Sequence, residues 1–160
     1  MAKKDDAPDR MLGDINLFLT PADEDPEGCI GELELMIAPT QARRRGYGRA
    51  TLLTFLMYLQ KHLDGILEEY GASLKQDSEG PGTDGKMRLL QLRVKIGSKN
   101  EKSINLFTSL GFLKVSEGEN YFGEIELMFE GFLGEGGVEG LFKKWGIKGY
   151  EELRYDRLEE

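Results

Sequence analysis

Ile15, Leu17 and Leu19 alternate with Asp14, Asn16 and Thr20, the period-two pattern of a strand with one buried face. An acidic connector holding two prolines, Pro21 to Gly28, leads to a second run from Ile30 to Ile37, in which Leu33, Leu35 and Ile37 oppose Glu32, Glu34 and Met36. The short link predicts a hairpin. After Pro39 the spacing turns helical: Leu52, Phe55 or Leu56, Leu59 and Leu63 recur every three or four positions, in a helix expected to start just after Gly46-Tyr47-Gly48. From Gly71 to Lys86 the only aliphatic side chains are Ala72 and Leu74, too little apolar surface to offset the entropy of ordering, so a mobile loop is expected over 71–86. A third strand follows with Leu90, Leu92, Val94 and Ile96 inward. Ser98 and Glu101 read as a capping box for a helix bearing Ile104, Phe107 and Leu110, which Gly111 ends. Phe112 to Ser116 and Glu124 to Glu130 read as an antiparallel strand pair, and Val138, Leu141, Phe142 and Trp145 as a short amphipathic cover. The last ten residues fit helix and strand equally.

The order is strand, strand, helix, strand, helix, strand, strand. A right-handed crossover makes the second and third strands parallel neighbours, so an α/β (α+β) architecture with a mixed sheet is expected. At 160 residues the chain holds one domain, placed over 11–130, with a disordered start at 1–10 and a C-terminal extension at 131–160. The formal net charge of −8 is the wrong sign for gripping nucleic-acid phosphates. The two longest charge-free stretches, Ala50 to Gln60 and Ser103 to Leu113, are 11 residues each, too short to span a bilayer, so no membrane partner is expected. Cys29 is the single cysteine and His62 the single histidine, which excludes an internal disulfide and a multi-histidine metal site. With a charged opening that leads to no apolar signal core, the expectation is an intracellular, cytoplasmic chain without a metal.

The chemistry concentrates in Arg43-Arg44-Arg45-Gly46-Tyr47-Gly48, after a strand and at the mouth of a helix. There the first backbone N–H groups lack acceptors and the helix dipole favours an anion. The glycines remove Cβ atoms that would hold a phosphate off those amides, and the arginines add charge-assisted donors. An ordinary glycine-rich helix start on a basic surface is the plain alternative. No Gly-Lys-Ser or Gly-Lys-Thr follows, which rules out a P-loop. A dinucleotide fold fails because Thr51 stands where its third glycine belongs and no ribose-binding acid closes the next strand.

The run from Met36 to Ala50 resembles the acetyl-CoA-binding motif of the GNAT superfamily of N-acetyltransferases: Gln or Arg, two residues, Gly, one residue, Gly or Ala, filled here by Arg43, Gly46 and Gly48. Three further blocks narrow the resemblance. They are Met11 to Thr20, Gly31 to Ala38, and Lys95-Ile96-Gly97 leading to Asn100-Glu101, Ser103-Ile104 and Phe107. Together they resemble the N-acetyltransferase-nine group, relatives of the enzymes that acetylate ribosomal-protein N-termini.

The resemblance implies a V-shaped splay between the second and third strands, with pantetheine against the backbone of Met36, Ile37 and Ala38. It places pyrophosphate on the amides of Arg44, Arg45, Gly46, Tyr47, Gly48 and Arg49, with Asn100, Ser103 and Phe107 on the cofactor's other side. It further implies direct attack of an acceptor amine of a protein or peptide on the thioester, with a backbone N–H at Met36 or Ile37 for the oxyanion. Glu32 and Glu34 share one strand face and are the candidate bases; for each, the plain reading is a solvated polar face. Phe107 stands where many members carry a tyrosine acid, and Tyr121 is the only substitute in view. His62 falls near the far end of the helix, Cys29 lacks an activating neighbour, and Phe55, Met57 and Tyr58 read as helix core. The resemblance also implies two strands and two helices ahead of residue 11, which leaves an exposed sheet edge and a homodimer through it as an expectation. A non-catalytic acetyl-CoA-binding or interaction module is the rival reading.

Overall fold

The computed structural model describes residues 10–77, 86–130, 132 and 137–153. β1 (Gly13–Pro21) and β2 (Gly28–Ile37) form the expected antiparallel hairpin, in continuous register from Gly13↔Ile37 to Pro21↔Cys29. A 3-10 turn (Thr40–Ala42) leads into α1 (Tyr47–Asp77), which crosses to β3 (Arg88–Gly97), parallel to β2. Then come α2 (Glu101–Ser109), a two-residue β4 (Leu113–Lys114), β5 (Glu124–Phe129) and α3 (Gly137–Lys144). The sheet order is β1-β2-β3-β5-β4, mixed, and the fold class is α/β.

The apolar face of the sheet meets α1 and α2 in one core. Leu33, Leu92, Val94 and Leu127 from the strands close on Leu52, Leu53, Leu56 and Leu59 from α1 and on Ile104, Phe107 and Leu110 from α2. α3 buries Val138 and Phe142 against this layer, the covering role its spacing predicts. No helix among the described residues is long and apolar enough to cross a membrane.

Several local expectations are corrected. Leu90 is 44% exposed and Leu89 is buried instead, because the β2–β3 register skips Leu90 between Cys29↔Leu89 and Ile30↔Gln91. That bulge flips the alternation of everything before it. The helix begins at Tyr47 and runs to Asp77, so 71–77 is not loop; residues 78–85 of that expected loop lie outside the described residues. Tyr70 and Leu74 pack on the core, and a Cβ on Gly71 would lie 2.9 Å from Met87 Cγ, so the glycine lets the returning chain approach the helix. Asn100, not Ser98, caps α2: its Oδ1 accepts from Ser103 N–H at 3.2 Å, while Ser98 N–H donates to Gly123 O at 2.8 Å. The strand expected over 112–116 shortens to two residues because Phe112 turns into the core, edge-on to Phe107 and stacked on Phe129. Tyr58 is exposed rather than core, its ring 4.5 Å from that of His62. The expected disordered start falls almost wholly outside the described residues.

Candidate active site

The β2–β3 ladder stops at Glu32↔Arg93, and beyond it the strands part. A cleft of about 440 Å³ fills the opening, within the ordinary range for a small-molecule site. Leu33, Glu34, Leu35 and Met36 line one wall, Val94 to Gly97 the other, and Asn100, Ser103 and Phe107 close it from α2. Because side chains alternate across a strand, the cleft runs through the sheet. Glu34, Met36 and Lys95 belong to the open face, and Leu33, Leu35, Val94 and Ile96 to the helix-covered face.

Backbone polarity in the gap follows from the hairpin. Ala38 N–H donates to Leu12 O at 2.8 Å and Ala22 N–H to Gly28 O at 2.9 Å, so even-numbered residues of β2 turn their polar groups toward β1. Leu33, Leu35 and Ile37 turn theirs toward the gap. Of the two expected oxyanion donors, Met36 turns its N–H toward β1 while Ile37 turns its N–H away from β1, although Ile37 is not among the residues that line the cleft. Met36 lines the cleft through its half-exposed side chain instead.

The arginine-rich turn lies where β2 ends. Arg43 folds back, its Nε donating to Ile37 O at 2.8 Å and its Nη2 to Ala38 O at 3.1 Å. These bonds satisfy two carbonyls left without a ladder partner and fix the turn to the strand. Arg44 is the only described non-glycine residue with positive φ (61°), and Gly46 adopts φ 90° with open space where its Cβ would be. Gly48 differs, since its Cβ would point inward, 3.4 Å from Leu106 Cδ2, so its small size serves packing against α2 rather than access for an anion. The first helical N–H taken up is that of Ala50, donated to Gly46 O at 3.0 Å; no acceptor among the described residues takes those of Arg44 to Arg49. The side chains of Arg44 and Arg45 are exposed and unpaired there too. Arg49 is committed elsewhere, with its guanidinium carbon 3.6 Å over the Trp145 ring.

The two glutamates part company. Glu32 Oε2 accepts from Arg93 Nε at 2.9 Å and from Lys95 Nζ at 3.0 Å, at the rung where the strands separate. Burial acts to raise its carboxyl, but hydrogen bonds and charge from Lys95 and Arg93 outweigh it and hold the group below the ordinary carboxylate range. Glu34 is exposed, lines the cleft, and has no ion pair among the described residues. Phe107 is buried, edge-on to Phe112, and offers no proton. Tyr121 is 96% exposed on the β4–β5 hairpin tip and does not line the cleft. His62 pairs with Glu152 at 2.8 Å on the surface of α1, and Cys29 is fully buried with its thiol pushed up to about 11 by desolvation.

Curated relatives bear out the resemblance as a whole. The N-acetyltransferase 9-like protein of Schizosaccharomyces pombe is 35% identical over 138 residues, covering 73% of this chain and 55% of its own length. That of Nematostella vectensis is 36% identical, covering 75% and 46%, and the alpha/beta-tubulin-N-acetyltransferase 9 of Mus musculus is 35% identical, covering 73% and 37%. The chain belongs to the N-acetyltransferase 9-like group. It spans about half the length, or less, of these family members. No protein-family model matches it. Among solved structures, Arabidopsis thaliana NAA60 in complex with acetyl-CoA aligns with a TM-score of 0.45 at 13% identity, covering 76% of this chain and 66% of that one.

Two cleft residues escape the sequence reading. Lys95 was visible only as part of a motif, and its reach to Glu32 depends on the parallel register. Asp14 lines the cleft from β1 because it stands opposite Met36, a pairing that the hairpin register supplies once the loop length is known.

Proposed function

We propose that the chain is an acetyl-CoA-dependent N-acetyltransferase domain working in the cytoplasm, which moves an acetyl group to the N-terminal α-amine of a protein or peptide. The observation that carries this reading is the parting of β2 from β3 directly beside a turn with free N–H groups and unpaired arginines. The fit to acetyl-CoA is specific. An extended arm finds the backbone of Leu35 beyond the last β2–β3 rung, the side-chain Nδ2 of Asn100 and the hydroxyl of Ser103, while a diphosphate finds the amides from Arg44 to Arg49. The bound thioester supplies an activated acetyl carbonyl; the remaining chemistry belongs to the chain.

Glu34, which lines the cleft, takes the proton of the attacking amine, reached from the open face, and the N–H of Ile37, turned away from β1 just past the cleft-lining residues of β2, donates to the carbonyl oxygen as negative charge develops there. The C–N bond forms as the C–S bond breaks, and the thiolate leaves toward α2, where solvent entering the cleft protonates it. Phe107 in place of an acid favours an acceptor that needs little help. An α-amine with pKa near 7.8 is about 14% neutral at pH 7, against about 0.04% for a lysine near 10.4. Asp14 and Glu34 give the acceptor side an acidic lining suited to an amine. Mouse and human relatives carry the name alpha/beta-tubulin-N-acetyltransferase 9, which makes tubulin N-termini the first acceptors to assay.

The absence of an acid at Phe107 also favours the second reading, a module that binds acetyl-CoA without turnover. Release of free thiol in the presence of N-terminal peptides separates the two. Acetyl-CoA binding by thermal shift without peptide-dependent thiol release refutes the enzyme; absence of binding refutes both.

A further inference from the structure

The end of α3 touches both the start of α1 and the end of α2. Val138 and Phe142 bury the helix in the core, and Gly146, at φ 66°, stops it, with Gly146 N–H donating to Lys143 O at 3.2 Å and Ile147 N–H to Phe142 O at 3.0 Å. This stop holds Trp145 against the first turn of α1, where the Arg49 guanidinium carbon lies 3.6 Å from its ring centroid. One residue earlier, Lys144 Nζ donates at 3.2 Å to the carbonyl of Ser109, the last residue of α2. Arg49 Nε and Trp145 Nε1 are both buried without a hydrogen-bond partner, so the attraction between cation and ring face is what holds the pair.

The arginine-glycine turn is thereby fastened at its two ends. Arg43 ties the entry to the carbonyls of Ile37 and Ala38, and Arg49, under Trp145, ties the exit. Between them the backbone passes through φ 61° at Arg44 and 90° at Gly46, and among the described residues no acceptor holds the N–H groups from Arg44 to Arg49. Amides left free in this way take an anion well only when they are already aimed, because ordering them on binding would cost affinity. We propose that Trp145 is a positioning residue: by stacking on Arg49 it fixes the first turn of α1, and so keeps the free amides of the turn arranged for a diphosphate. The inference rests on the acetyl-CoA reading of the cleft for the identity of that anion, and goes beyond it in giving the segment after β5 a part in binding.

Trp145→Leu removes the π face and keeps apolar cover, whereas Trp145→Phe keeps a ring. Hydrogen exchange of the free chain follows the turn without any ligand: the amides of Ala50 to Leu53 should exchange about 3- to 30-fold faster in Trp145→Leu, with Trp145→Phe between it and the parent. Isothermal titration well below Tm should show acetyl-CoA bound about 3- to 30-fold more weakly by Trp145→Leu, again with Trp145→Phe between. A side chain that merely covered the core would lower Tm in both variants and leave this affinity alone. Arg49→Ala removes the pair from its other side and should reproduce both changes, which decides the matter should Trp145→Leu not fold; combined with it, Trp145→Leu should add nothing further. Unchanged exchange, unchanged affinity in variants of a parent that binds acetyl-CoA, or additive effects in the double variant overturns the positioning role and leaves the acetyl-CoA reading standing. A parent that binds no acetyl-CoA overturns both.

Discussion

Replacing each glutamate of β2 by glutamine should produce opposite phenotypes. In Glu32→Gln, two hydrogen bonds from cations to a carboxylate, at 2.9 and 3.0 Å, become bonds to a neutral amide. Such bonds are worth about 1.5–3 kcal/mol when charged and about 0.5–1.5 when neutral. About a fifth of the Glu32 side chain meets water, at 21% exposure, so screening reduces the loss to about 1–2 kcal/mol. For a domain of this size the expected fall in Tm is about 2–8 °C. Because the folded carboxyl lies below its ordinary value, its contribution is full above the unfolded pKa and fades as pH falls through the folded one. The Tm gap between Glu32→Gln and the parent should therefore close in acid, while acetyl transfer at neutral pH stays within about threefold. Glu34→Gln removes an exposed carboxylate without a partner, leaves Tm within about 1 °C, and lowers kcat by about 10²–10⁴. Differential scanning fluorimetry across pH and a continuous thiol-release assay with one N-terminal peptide read both variants. Full turnover by Glu34→Gln, or lost turnover with unchanged Tm in Glu32→Gln, would refute the assignment of one carboxylate to the cleft and the other to the strand clamp.

Two other outcomes follow from the same geometry. Arg43→Ala combined with Gly46→Ala should weaken acetyl-CoA binding by about tenfold or more in isothermal titration, since one change frees the Ile37 and Ala38 carbonyls and the other forces a Cβ into φ 90°. An unaltered Kd would place the diphosphate elsewhere. Cys29, fully buried with its thiol pushed up to about 11, should resist alkylation in the native chain at pH 8 and react only on opening, so its labelling rate should rise with added denaturant; fast labelling without unfolding would contradict its burial.

Local chemistry determined much of this protein from its residues alone. Period-two and helical spacing placed each strand and helix, since burying one face of an element needs only its own sequence. The mixed sheet followed from one crossover rule, and the arginine-glycine turn announced itself because helix-start chemistry is local. What escaped depended on partners distant in the chain. The outward turn of Leu90 was decided by a bulge against Cys29 and Ile30, and the length of α1 by Tyr70, Leu74 and Met87 packing into the core. Glu32 and Glu34 look equivalent in sequence, two residues apart on one strand face. Only the parallel register that brings Arg93 and Lys95 beside the first, and the parting of strands that leaves the second in the open, sets them apart. Electrostatic environment is a property of what folding brings near, and so the roles of identical side chains are assigned by tertiary structure.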